Sequence, residues 1–125
     1  MYTYSFEKLE AWKLSMNLTT HIYLITKEFP KIEQFGITDQ IRRSAISINS
    51  NIAEGTGRNT GKDKAHFTTI AYSSMLELLN QLIIAHELHY LTHDQLATCR
   101  NLIDGVGIRL TGLRKSQLNA VSKPL

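Results

Sequence analysis

Five polar residues, Gln40, Arg43, Ser47, Asn51 and Glu54, recur at intervals of three and four in the stretch GITDQIRRSAISINSNIAEGTGR, residues 36–58. On a helix that spacing puts them in one row. The row is mostly short and hydrogen-bonding, unlike the Lys/Glu mix of an ordinary solvated face. Such side chains suit three tasks: lining a cleft, holding a ligand, or bonding across a helix interface. Arg58, one helical turn past Glu54, stands within reach of its carboxylate. Nothing here pairs a nucleophile with a general base, so the cluster Asn51, Glu54 and Arg58 gives an enzyme little support. The structural alternative is a network that ties a loop to the neighbouring helices and fixes their register, because buried polar groups must be satisfied.

Two further groups have chemical potential. Gly55 and Gly57 lead into Arg58, Lys62 and Lys64. Glycines, cations and the free amides of a following helix can cradle phosphate. No strand precedes this loop and no Walker lysine pattern is present, so a nucleotide-hydrolysing loop is poorly supported. Two glycines after a helix read more simply as its C-terminal stop, and a diffuse contact to RNA phosphates is the functional alternative. His86, His89 and His93 fall at metal-binding intervals of three and four. The helix is expected to end near Tyr90, which carries His93 off that face, and no HExxH motif occurs. Exposed helix-end histidines are the simpler reading, so no metal and no cofactor are expected.

Four helices must position these groups. From Lys8 to Phe29, Leu14, Leu18, Ile22, Ile25 and Phe29 form one apolar stripe, with Leu9, Trp12, Met16 and Tyr23 beside it. Pro30 is the expected stop. Lys31–Gly36 is a short loop or single turn. The second helix, with Thr38 as its expected N-cap, carries Ile37, Ile41, Ala45, Ile48 and Ile52 on its core face and stops at Gly55 and Gly57, where glycine adopts a left-handed conformation freely. Ile46 points away from that face and suggests a subunit contact. Asn59 or Thr60 caps the third helix, which is expected to reach Tyr90. Thr92 and Gln95 have the capping-box spacing that opens the fourth. There Leu96, Cys99, Ile103, Val106, Leu110 and Leu113 make a heptad seam, and Gly105, Gly107 and Gly112 suggest close helix approach. Ser116–Leu125 reads as a frayed tail. Short joins between long helices force antiparallel neighbours, so the expected fold is all-α, an antiparallel up-down-up-down four-helix bundle. Residues 1–118 form its single domain and 119–125 a flexible C-terminal tail.

The totals agree with this. The 125 residues are 42% hydrophobic and 20% charged, which suits one packed domain. The single cysteine, Cys99, allows no internal disulfide and fits a reducing compartment. No signal peptide or membrane span is visible, so the cytoplasm is the expected location and a membrane is not an expected partner. A net charge of +3 permits an anionic partner without demanding one. The cations are uneven: after Asp104 come Arg109, Arg114, Lys115 and Lys123 with no acid among them.

The run IT-DQIRRSAISI-NIAEG-GR, then F-TIAYSS--EL-NQL--A--L-YL, with FEKLEAWK at the start and FP before the second helix, resembles the family named for proteins encoded in intervening sequences of bacterial 23S ribosomal RNA. The similarity runs from Phe6 to Leu113. The resemblance implies a small all-α subunit, similar in fold to the accessory protein of diversity-generating retroelements, assembled as a homopentamer, with a basic surface or central channel for nucleic acid and no established catalytic activity. The motif residues at matching positions are Gln40, Arg43, Asn51, Glu54, Gly55 and Arg58. The leading expectation is a non-enzymatic oligomer that binds RNA or DNA through Arg42, Arg43, Arg58, Lys62, Lys64, Arg109 and Arg114. The alternative is a protein-interaction scaffold or accessory subunit that binds no nucleic acid.

Overall fold

The computed structural model of the chain describes Met1–Val121, without the side chain of Val121. Its helices are α1 (Glu10–Thr26), α2 (Ile37–Thr56), α3 (Gly61–Glu87) and α4 (His93–Val121), with short 3-10 turns at Ser5–Lys8 and Lys31–Glu33. Each long helix packs against two others in a closed ring, α1 on α2, α2 on α3, α3 on α4 and α4 on α1.

Side-chain pairs give the register. Asn49 bonds Ser15 while Arg42 bonds Thr26. Ser44 meets Gln81 while Ser47 meets Ser74. Thr68 meets Gln117 while Gly107 abuts Met75. In every pair one number rises as the other falls, so consecutive helices are antiparallel and the bundle runs up-down-up-down.

Periodicity made the core. Ile41, Ala45, Ile48 and Ile52 of α2 are buried, as are Leu18 and Ile22 of α1, Leu78 and Leu82 of α3, and Cys99, Ile103, Val106 and Leu110 of α4. Each such Leu or Ile contributes about 1.5–3 kcal/mol by leaving water. Met75 is buried with them, whereas Trp12 and Met16 are only half-buried. Trp12 instead receives Phe6 of the N-terminal turn, ring centroids 5.3 Å apart. Burial pushes the Cys99 thiol up to about 11.

The helix starts mostly follow the sequence. Thr60 accepts a bond from the Asp63 amide at 3.1 Å. The Thr92 amide donates to Gln95 Oε1 at 2.9 Å, and the Gln95 amide returns a 3.1 Å bond to Thr92 Oγ1. Thr38 is a correction. Gly36 is the N-cap, so Thr38 falls inside the first turn, where it is buried and its Oγ1 has no hydrogen-bond partner.

The ends differ more. α1 stops at Thr26, before Phe29, because the amides of Glu28 and Phe29 turn to i−3 carbonyls. α2 continues through Gly55 to Thr56, and Gly57 caps it with φ −85°, a right-handed value rather than the left-handed one expected. α3 ends at Glu87, short of Tyr90. Of the three glycines in α4, Gly107 alone makes a close approach, to Met75; a Cβ at Gly105 or Gly112 would meet open space. α4 does not fray at Ser116. Gln117 is buried and accepts a 2.6 Å bond from the Thr68 hydroxyl. The remainder of the tail expected from 119, residues 122–125, lies outside the described residues.

Candidate nucleic-acid interface

The polar row of α2 does not act as one unit. Gln40 and Glu54 are exposed. Arg43 is exposed too and spends its charge one turn back, Nε to Asp39 Oδ2 at 2.8 Å. Only the middle of the row meets another helix. Ser47 Oγ lies 2.8 Å from Ser74 Oγ of α3, and Asn51 Nδ2 donates to the Ser47 carbonyl at 2.8 Å. Arg58 does not pair with Glu54 among the described residues. Its guanidinium lies over the Phe67 ring, 4.3 Å from the centroid, in cation–π contact.

The interhelical network runs mainly through residues outside that row. Ser44 Oγ lies 2.8 Å from Glu77 Oε1 and 2.9 Å from Gln81 Oε1. A hydroxyl has one proton, and the charged carboxylate is the stronger acceptor. Rotating the Gln81 amide then lets its N–H donate to Ser44. On the other flank Asn49 Nδ2 donates to Ser15 Oγ at 2.8 Å, and Arg42 Nε donates to Thr26 Oγ1 at 2.9 Å with its guanidinium over Tyr23. One helix face of short polar residues is visible in the sequence; partners on another helix are not.

The seven candidate cations therefore separate. Arg42 and Arg43 are engaged near the end of the bundle that holds the α1–α2 connection. Arg42 lies fourteen residues, about 21 Å, before the end of α2 at Thr56, and Arg58 stands just past that end. At the opposite end, Gly55 abuts the Lys64 carbonyl and Phe67, and Arg114 Nε donates to Thr69 Oγ1 at 3.1 Å. That register brings Arg58, Lys62, Lys64 and Arg114 to one end, with Lys115 beside them. Arg109 lies five residues before Arg114, roughly 140° round α4, and leaves the patch. Among the described residues, ion pairs join Lys13 to Glu10 and Arg43 to Asp39, and His86 Nδ1 lies 3.9 Å from Glu87 Oε1; none of the five clustered cations is so placed.

Gly55 has a spatial role here. A Cβ on it would lie 3.1 Å from Phe67 Cβ and 3.3 Å from the Lys64 carbonyl oxygen. Its bare backbone thus lets the start of α3, with Lys62 and Lys64, come close to α2. His89 leaves the helix with φ 65°, whereas His93, expected off that face, meets His86 ring to ring with centroids 6.3 Å apart. No group of three metal-ligating side chains is assembled among the described residues.

No described helix is long and apolar enough to cross a membrane. No curated protein matches the chain. The structure is similar to the 1.70 Å crystal structure of a protein of unknown function from the S23 ribosomal protein family of Bacteroides thetaiotaomicron VPI-5482, with a TM-score of 0.77 and 23% identity over 84% of this chain and 95% of that one. A likeness at this identity bears on the fold. Membership follows from the sequence match: residues 7–112 fit the model of the 23S rRNA-intervening sequence proteins, and the chain belongs to that family.

Proposed function

We propose that the protein is a non-enzymatic homo-oligomeric bundle, a pentamer on the family resemblance, that binds RNA through phosphate contacts. The supporting observation is the convergence of Arg58, Lys62, Lys64, Arg114 and Lys115 at one end, none in an ion pair with a carboxylate among the described residues. Cations that no carboxylate neutralises exchange small counterions for phosphates, and the released counterions drive binding. No base edge needs to be read, so the contact is tolerant of sequence. Assembly is supported by apolar side chains that the single chain leaves in water: Leu76 and Ile84 on α3 and Ile46 on α2 are 51%, 42% and 44% exposed. The same residues favour a second reading, a scaffold whose partner is another protein.

Fluorescence anisotropy with labelled RNA over a salt series tests this. Five phosphate contacts per subunit predict a log–log slope of roughly −3 to −4 on a single strand. The solution mass after nuclease treatment tests assembly without RNA. No binding at low salt removes the RNA reading and leaves the scaffold; a monomeric mass removes the oligomer.

A further inference from the structure

The groove between α3 and α4 adjoins the basic end and offers chemistry beyond phosphate contact. Two neighbouring hollows of about 450 and 520 Å³ share Tyr72 and Thr111. Tyr72 stands where they meet, with 39% of its surface exposed. Gly107 lets α4 come close to α3 there: a Cβ would lie 3.3 Å from the Met75 thioether and 4.0 Å from Tyr72 Cε2. Arg114 and Lys115 line the first hollow and Asp104 the second. Ten residues of α4 part Asp104 from Arg114, about 15 Å. The groove is thus polarised, with cations at one end, a carboxylate at the other and an aromatic ring between.

We propose that this groove holds one unpaired base of a single-stranded RNA, stacked on the Tyr72 ring, with the flanking phosphate on Arg114 and Lys115. This rests on the RNA-binding reading above and names the form of RNA. Every base has a π face, so stacking on an exposed ring needs no particular sequence. Charge complementarity orients the nucleotide: the phosphate goes to the cations and away from Asp104. The groove also continues the basic end. Lys62 lies seven residues before Thr69, two turns along the same strip of α3 and about 10 Å away. Thr69 in turn holds Arg114. A strand whose phosphates follow Lys62 is led to the groove. A duplex keeps its bases stacked inside and cannot supply one to the ring. An apolar helix of a second copy fits less well, because it would bury Asp104, Arg114 and Lys115 with the apolar floor.

Anisotropy on a single-stranded RNA of about a dozen nucleotides, and on a duplex of the same length, tests this. The wild-type protein is expected to prefer the single strand. Tyr72→Ala should weaken single-strand binding by roughly 5- to 100-fold, with duplex binding unchanged. Tyr72→Phe, which keeps the ring, should restore it, and thermal melts should show both variants folded. The inference is overturned if Tyr72→Ala changes neither affinity, lowers both equally, or alters the mass of the assembly, which would make the ring a subunit contact. Failure of the wild type to bind either RNA is a different result and removes the RNA-binding reading itself.

Discussion

Glycines in the same helical setting serve opposite purposes here, and only their surroundings tell them apart. Gly55 faces Phe67 and a backbone carbonyl, with 3.1 and 3.3 Å left for a Cβ, whereas Gly112 faces open space. Alanine gains about 1 kcal/mol over glycine in a helix interior from backbone entropy. At Gly112 nothing opposes that gain, so Gly112→Ala should stabilise the protein by up to about 1 kcal/mol. At Gly55 the new methyl must push α3 away, and overpacking costs typically about 1–3 kcal/mol, so Gly55→Ala should destabilise by about 1 kcal/mol net. Urea unfolding of both variants measures the contrast; equal stabilisation would mean that the two helices can part without loss. Sequence alone could not sort these positions, since a glycine's neighbour in space is unwritten at its place in the chain. Thr38 differs for a related reason: a threonine at a helix start reads as a cap, but α2 begins two residues earlier than that reading requires, at the Gly36 cap, and the Thr38 hydroxyl is buried. Ser44 was passed over because its partners, Glu77 and Gln81, come from another helix.

Whole elements were more legible, because their signals are local. The reciprocal bonds of Thr92 and Gln95 follow from residues three apart. The isoleucine row of α2 needed only a 3.6-residue period, since one face had to leave water. C-terminal ends were harder. α3 closes with the Tyr90 amide bonded to the Ala85 carbonyl at 2.9 Å and the His89 amide to the His86 carbonyl at 3.0 Å. These are the two bonds of a Schellman ending, which places His89 at the left-handed position usually held by glycine. Its φ of 65° agrees. A Cβ is strained there, so His89→Gly should stabilise the protein by about 0.5–1 kcal/mol, read as a raised melting temperature. A loss of stability would mean that the imidazole makes a contact outweighing the strain. Without a glycine to mark it, this ending looked like further helix up to Tyr90.

For the whole molecule, the antiparallel ring decides which cations gather at one end. Read along the chain, Arg42, Arg58, Lys62 and Arg114 are equivalent basic residues. Folded, the first is a strut between α1 and α2, and the others gather at the far end. The division has opposite consequences in two assays. Arg42→Ala removes the bond to Thr26 and the contact with Tyr23, and should cost about 1–2 kcal/mol of stability while leaving RNA affinity unchanged at fixed salt. Lys62→Ala and Lys64→Ala should alter stability by less than about 0.5 kcal/mol, while each shallows the salt dependence of RNA binding by about 0.7 unit of slope. Paired melts and salt titrations on the same preparations separate the outcomes. If Arg42→Ala weakens binding with its melt unmoved, the phosphate track runs the length of α2, and the end-on contact inferred from the register is wrong. If the lysine variants lower the melt and spare the binding, the basic end packs against a neighbouring subunit, and RNA must meet a different face of the assembly.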